Sequence, residues 1–114
     1  HLSTEELSRF GQLCLNKGQW EGKQLVSASW IEEATACQIS NKIEGKVQHP
    51  DECAVYGYFF WRCSRDNAYC GNGYAGQRIF VLPEQDACIA VTAHEFNSGS
   101  VSDCVWNHIV PQLK

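Results

Sequence analysis

The most constraining feature of this sequence is a pair of apolar segments joined by a short polar turn, within residues 69–93. Residues 77–82 are rich in the β-branched and aromatic types that suit a half-buried strand. Residues 83–86 read Pro-Glu-Gln-Asp, which is turn chemistry because Pro presets φ and Asp can hydrogen-bond the local backbone. Residues 87–93 are mostly apolar again. The stretch therefore predicts a β-hairpin with antiparallel strands.

A glycine-rich loop precedes this hairpin. Gly71, Gly73 and Gly76 carry no Cβ atom, so the loop can adopt positive φ angles or let another molecule approach its backbone closely. A simple bend and a ligand-binding role both fit these glycines. The loop is therefore a candidate site whose role these residues alone leave open.

The rest of the chain predicts helices on either side of the strands. Ser3 and Glu6 match a capping box before an apolar residue pattern of helical spacing, and Ser27 is a second candidate cap. The pattern as a whole predicts helices over residues 4–15, 28–37 and 102–109, a loop over residues 38–52, and a strand over residues 55–62 that is apolar on both faces.

The predicted order is two helices, an antiparallel meander of about three strands, and one helix packed on it, which is an α+β arrangement. With 114 residues, the chain is predicted to form a single domain, residues 1–114. Its net charge of −4 gives no basic surface for nucleic acid. No apolar run reaches about 18 residues, so no membrane segment is predicted.

Seven cysteines are many for this length, but they are scattered and odd in number. A disulfide framework usually has an even count, and no C-x-x-C pair suggests a zinc site. We therefore expect mostly buried, reduced thiols, with no metal and no cofactor. The localisation stays open, although these cysteines favour the reducing cytoplasm. A cysteine-based redox or metal domain is the alternative that thiol titration and metal analysis would test.

Three stretches of the sequence resemble one protein family. The loop and strands read GYAGQRIFVLP and ACIAVTA, the N-terminal segment reads STEELSRFGQLCLNKGQWEGKQLVSASWIEEA, and the aromatic strand reads YGYFFW. Together they are similar to the C-terminal part of serine hydrolases of the class C β-lactamase, penicillin-binding protein and esterase group. The resemblance implies a partial β-lactamase-like fold. It also implies that the full-length parent hydrolyses a small-molecule ester or amide through an acyl-serine.

The catalytic motifs of that family are absent from this chain. Family members carry the nucleophile and its base as S-x-x-K and a tyrosine as Y-x-N, because a serine hydroxyl needs a base within hydrogen-bond reach. Neither motif occurs in this sequence. The chain is therefore predicted to be a C-terminal fragment of the hydrolase domain that is inactive alone. A non-catalytic binding module that reuses the fold is the alternative function.

The third family motif, K-T-G or H-x-G, falls on Gly71, Asn72 and Gly73 by resemblance. Only the final glycine matches, and the cation is missing. An alternative register on residues 68–70 matches none of the motif. Without a Lys or His to bind a β-lactam carboxylate, esterase or amidase activity in the parent is favoured over lactamase activity.

The resemblance assigns roles to the residues of this loop. The backbone N–H of Tyr74 follows the motif glycine, where relatives use a main-chain donor, and it is expected to be one of two oxyanion-hole donors in the parent. The alternative is that Tyr74 only packs in the mouth of the loop. The residues expected to line the substrate site are Gly71, Asn72, Gly73, Gly76 and Gln77.

The isolated chain is also expected to self-associate. The predicted strands between residues 55 and 93 are apolar on both faces, and few helices are available to cover them. An uncovered apolar face or an unpaired sheet edge favours pairing with a second copy.

Overall fold

The computed structural model of the protein describes residues 1–40 and 55–113. Most of the predicted loop over residues 38–52 lies outside these residues, and its described beginning forms a short strand. The described helices are α1 (Thr4–Leu15), α2 (Ala28–Thr35) and α3 (Ser98–Cys104), and the described strands are β1 (Gln19–Trp20), β2 (Lys23–Gln24), β3 (Ile39–Ser40), β4 (Val55–Tyr56), β5 (Trp61–Arg62), β6 (Tyr69–Asn72), β7 (Arg78–Leu82) and β8 (Ala87–Val91).

The main sheet is a six-stranded antiparallel meander. Its strand order is β3-β4-β5-β6-β7-β8, so each strand pairs with its neighbour in the sequence, while β1 and β2 form a separate hairpin. The predicted α+β class is confirmed, but the expected number of about three strands is too low. There are three additional strands. The short strand β3 was not predicted, the predicted strand over residues 55–62 is a hairpin of two strands, and β6 forms where the glycine-rich loop was expected.

The turn between β4 and β5 exists because α2 lies against it. A Cβ atom at Gly57 would lie 2.3 Å from the Ala34 carbonyl oxygen, so only glycine fits. The Tyr58 N–H donates to the same oxygen at 2.8 Å, and the Gly57 N–H donates to the Phe60 carbonyl oxygen at 2.7 Å. Phe59 has a positive φ of 65° at the tip and is 85% exposed. The prediction of one continuous strand was therefore wrong here.

The first helix has its predicted bounds, and the second is shorter than predicted. At the start of α1, the Ser3 hydroxyl accepts from the Glu6 N–H at 3.2 Å, and the Ser3 N–H donates to the Glu6 carboxylate at 2.7 Å. This is the predicted capping box. α2 ends at Thr35 rather than at residue 37, because Ala36 is already extended, with φ −74° and ψ 166°.

The C-terminal helix begins earlier than predicted. α3 starts at Ser98 rather than at residue 102, because the Asn97 side chain caps it by accepting from the Gly99 N–H at 3.3 Å. The helix then continues as a π-helical segment over Val105–Ile109, and we call α3 with this continuation the C-terminal helix. Among the described helices, none has the length and apolar character needed to cross a membrane.

The core is built around β7, whose two faces are both covered. Phe80 and Leu82 pack with Trp106 of the C-terminal helix, and the Phe80 and Trp106 rings are nearly perpendicular with centroids 6.2 Å apart. Val81 belongs to a second cluster with Cys14 of α1. Burying a side chain such as Phe, Leu or Val contributes about 1.5–3 kcal/mol. β7 is therefore the main apolar contribution to the core.

A glycine lets α1 lie directly on β7 and β8. A Cβ atom at Gly11 would lie 3.0 Å from Ile79 Cγ2 and 3.2 Å from Cys88 Cβ, so a larger residue would push the helix and sheet apart. The Cys88 thiol also donates to the Ser8 carbonyl oxygen at 3.4 Å. This close contact places α1 on the face of the sheet opposite the C-terminal helix.

The edge of the sheet at β8 carries a testable prediction of self-association. β8 ends the strand order in the described part of the chain, and its sequence, Ala-Cys-Ile-Ala-Val, has no charge. Such an edge offers unpaired N–H and C=O groups to another strand. Helices cover both faces of β7, so an uncovered sheet face cannot drive self-association there. The prediction now depends on the unpaired edge of β8. We predict that the sedimentation coefficient of the purified chain rises with protein concentration. A constant monomeric value throughout would contradict this prediction.

Candidate functional site

The residues predicted to form the site lie together at the end of β6 and in the loop that leads to β7. Gly71 and Asn72 end β6, Gly73 follows, and Tyr74–Gly76 forms a single 3₁₀ turn before Gln77. The Gly73 N–H donates to the Gln77 carbonyl oxygen at 2.7 Å and closes the loop. The structure therefore brings the predicted site residues together at the end of β6 and in the short loop that follows it.

Gly71 and Gly73 matter for the space around them rather than for an unusual backbone angle. Gly76 has a positive φ of 87°, but Gly73 is extended, with φ −108° and ψ 172°, and Ala75 takes the left-handed conformation instead, with φ 56° and ψ 34°. A Cβ atom at Gly73 would lie 2.9 Å from the Gln77 Cβ. A Cβ atom at Gly71 would meet none of the described atoms within 4 Å. The backbone at Gly71 can therefore be approached closely, whereas Gly73 has no room for a side chain.

The loop is held in place by the segment that follows β8. The Gln77 amide nitrogen donates to the Ala93 carbonyl oxygen, and Gln77 Oε1 accepts from the Ala93 N–H at 3.4 Å. The Glu95 N–H donates to the Ala75 carbonyl oxygen at 3.0 Å. Both polar atoms of the Gln77 side chain are therefore engaged with the backbone, and this side chain fixes the loop.

Tyr74 directs its side chain outward rather than into the loop. The residue is 82% exposed, and its ring meets Phe96 edge to face, with centroids 5.6 Å apart. Phe96 also contacts His94, with ring centroids 4.9 Å apart. No residue in the described ranges accepts a hydrogen bond from the Tyr74 backbone N–H. That N–H can therefore donate to a bound molecule.

Sequence reasoning missed Phe96 and His94 as neighbours of Tyr74. Their position in the chain, just after β8, could have shown that they lie near Tyr74. Both residues follow β8, and an antiparallel β7–β8 hairpin returns the chain to the end of the sheet where the β6–β7 loop lies.

No family model and no curated protein matches this chain, but solved structures do. A provisionally named 6-aminohexanoate-dimer hydrolase of Bacillus anthracis superposes with a TM-score of 0.64 at 20% identity and covers 91% of this chain. A provisionally named β-lactamase of Bacteroides dorei gives 0.63 at 12% identity and covers 90%. A penicillin-binding protein homologue of Caulobacter crescentus gives 0.59 at 18% identity and covers 79%.

The three solved structures belong to the group of β-lactamase-like and penicillin-binding-protein-like hydrolases. The chain adopts part of the β-lactamase-like fold. The resemblance of the sequence to this group is thus confirmed at the level of the fold, which is what identities this low establish. The chain spans only 26%, 38% and 25% of the three solved chains. It therefore corresponds to a minor portion of each of them.

The candidate site in this β-lactamase-like fold lacks a cation on its loop. Gly71 stands where the resemblance places a Lys or His, and residues 71–77 read GNGYAGQ. Arg78 is the register partner of Asn72 at the start of β7, but it is only 8% exposed. A side chain that is so deeply buried offers little to a substrate carboxylate.

Two cysteines of the described chain, Cys14 and Cys88, show no sign of activation in the structure. Burial raises the pKa of Cys14 to about 11 and also raises the pKa of Cys88, so both remain thiols at neutral pH. Reactive cysteines have a lowered pKa instead. Within residues 1–40 and 55–113, no group of three or more His, Cys, Asp or Glu side chains is arranged to hold a metal ion.

Proposed function

We propose that this chain is the C-terminal part of a β-lactamase-like serine hydrolase domain, and that the full-length parent hydrolyses an ester or amide through an acyl-serine. The observation that carries the proposal is the backbone N–H of Tyr74. It directly follows Gly73 and makes no hydrogen bond to the described part of the chain. Acyl transfer needs such donors for the negative charge that develops on the substrate carbonyl oxygen.

The rigidity of the loop supports this oxyanion role. The Gly73 and Gln77 backbones are bonded to each other, and the Gln77 side chain is bonded to Ala93. Donors that are already oriented at about 2.7–3.1 Å from the oxyanion lower the barrier by roughly 2.7–4 kcal/mol each. A main-chain donor accepts almost any side chain, so Tyr at position 74 is compatible with the role. The second donor in this proposal is the N–H of the parent's nucleophilic serine.

The nucleophile in this proposal comes from the rest of the parent. A serine hydroxyl without a base is a weak nucleophile, and no serine of this chain has the lysine of S-x-x-K. We infer that the chain supplies one oxyanion donor and part of the substrate site. The serine, its lysine base and the tyrosine would then lie outside this sequence.

The proposed substrate is a small ester or amide rather than a β-lactam. The loop has no Lys or His to bind a β-lactam carboxylate. Gly71, Asn72, Gly73 and Gly76 are proposed to line the substrate site, and the open space at Gly71 supports close approach of a substrate. Gln77 contributes by positioning the loop. The name of the Bacillus anthracis neighbour, a 6-aminohexanoate-dimer hydrolase, is compatible with an amide substrate.

The chain alone is predicted to be inactive. Oxyanion donors without a nucleophile give only residual catalysis. Turnover of p-nitrophenyl acetate and of a chromogenic β-lactam by the purified chain should therefore not exceed that of a Gly73→Val variant of the same chain. Saturable turnover that survives repurification would contradict the prediction.

In the reconstructed parent, Gly73→Val is predicted to lower kcat by about a hundredfold or more while the protein stays folded. The Val Cβ would press on the Gln77 Cβ, at 2.9 Å in the present geometry, so the loop that carries the Tyr74 N–H must shift. Steady-state kinetics with an activated ester measure kcat, and circular dichroism with thermal melting checks the fold.

Tyr74→Phe is the matched control for this experiment. It keeps the backbone N–H and removes only the hydroxyl of a side chain that points outward. Its kcat is expected to stay within about twofold of the parent value. An unchanged kcat in a folded Gly73→Val protein would remove Tyr74 from the mechanism. A large loss in Tyr74→Phe would move the role from the backbone to the side chain.

A further inference from the structure

A cavity lies at the opposite end of β6 from the Gly73 loop. It forms where the C-terminal ends of α1 and α2 meet the start of β6 and the turn after β7. Its volume is about 520 Å³, within the roughly 300–1,000 Å³ that small-molecule sites occupy. The residues that matter for its chemistry are Cys14, Leu15, Ile31, Arg62, Asn67 and Tyr69.

The two most buried residues of the cavity lining are uncharged. Cys14 and Tyr69 are 3% and 5% exposed and pack together with Val81 and Leu15. Burial raises the pKa of both Cys14 and Tyr69. The thiol and the phenol are therefore protonated at neutral pH, and the Tyr69 hydroxyl is a potential hydrogen-bond donor.

Arg62 places a positive charge at this cavity that no described carboxylate neutralises. Its guanidinium donates to the Thr35 carbonyl oxygen at 3.4 Å, to the Asn67 carbonyl oxygen at 3.3 Å, and to Asn67 Oδ1. All three acceptors are neutral. The guanidinium also lies over the Tyr69 ring, 5.7 Å from its centroid. Because a guanidinium has five N–H groups, one on Nε and one on Nη1 remain free to donate.

The other charges around the cavity cancel. Lys17 and Glu32 lie at the cavity and pair with each other at 3.8 Å, and both side chains are about two-thirds exposed. Arg62 is therefore the source of the net charge of the described lining, which is a single positive charge. No described residue accepts a hydrogen bond from the Tyr69 hydroxyl. One cation, one phenol donor and an apolar floor remain for a bound molecule.

We propose that this cavity binds a small organic monocarboxylate, with its carboxylate on Arg62 and Tyr69 and its apolar body against Leu15 and Ile31. A free Arg62 N–H and the Tyr69 hydroxyl can each donate one hydrogen bond to a carboxylate, and the single net positive charge matches one negative charge. An anion with two or more charges would be repelled by the Glu32 carboxylate, and Lys17 is already paired with that carboxylate, so it leaves no second free cation to balance the extra charge. This inference is independent of the proposed hydrolase function, because the cavity lies at the other end of β6.

The proposal is tested with a matched pair of probes, 4-phenylbutyrate and 4-phenylbutanol, which differ in the charged group. Each is titrated into the ¹⁵N-labelled chain while backbone amide and arginine Nε–H signals are followed by NMR. The acid is expected to give saturable shifts at Arg62, Thr35 and Tyr69, and to bind about tenfold or more tightly than the alcohol. Equal affinities, shifts confined to other parts of the chain, or no saturation by the acid would overturn the proposal.

Substitutions then locate the charge that matters. Arg62→Gln is expected to weaken acid binding by about tenfold and to leave alcohol binding unchanged, whereas Lys23→Gln, the same charge change on exposed β2, should alter neither. Arg62 also supports two backbone carbonyl groups, so Tyr69→Phe supplies a second test if Arg62→Gln does not fold. Tyr69→Phe should weaken the acid about threefold or more. Undiminished acid binding in either folded variant would overturn the proposal.

Discussion

Burial of β7 on both of its faces is the constraint on which the rest of this structure depends. A strand presents successive side chains to opposite sides, so consecutive apolar residues need cover on each side. The C-terminal helix covers Phe80 and Leu82, and α1 covers Val81. Each buried side chain contributes about 1.5–3 kcal/mol, against a total stability of about 5–15 kcal/mol for an ordinary domain. Neither cover could be lost without losing much of the fold's stability.

The same burial positions the candidate site. β6 and β7 are paired through four residue pairs, and a slip of one residue would turn Val81 away from α1. The register is therefore strongly specified, and the loop after Asn72 begins at a fixed place. Gln77 then ties the loop to Ala93. The direction of the Tyr74 N–H is thus a consequence of core packing rather than of the loop sequence alone.

Local chemistry explains the elements that could be predicted, and tertiary contact explains those that could not. The β7–β8 hairpin forms as predicted because Pro83 begins a 3₁₀ turn and Asp86 ends it in the left-handed conformation, with φ 49° and ψ 46°. Phe59 also has a positive φ, and its aromatic side chain gives no reason to expect one. The turn that contains Phe59 lies against the carbonyl groups at the end of α2, which leave no room for a side chain at Gly57. At the site, Ala75 rather than Gly73 takes the left-handed conformation, which glycine spacing could not reveal.

Native-state hydrogen exchange tests most directly whether burial of β7 holds the fold together. Amides in the most stable part of a protein exchange only through global unfolding, whereas loosely held parts exchange by local opening. If burial of β7 holds the fold together, the amides of Phe80, Val81 and Leu82 exchange with the free energy of global unfolding measured by denaturant, while the unbonded amide of Tyr74 exchanges rapidly. Exchange of the β7 amides by local opening, with the slowest amides in α2 instead, would contradict it.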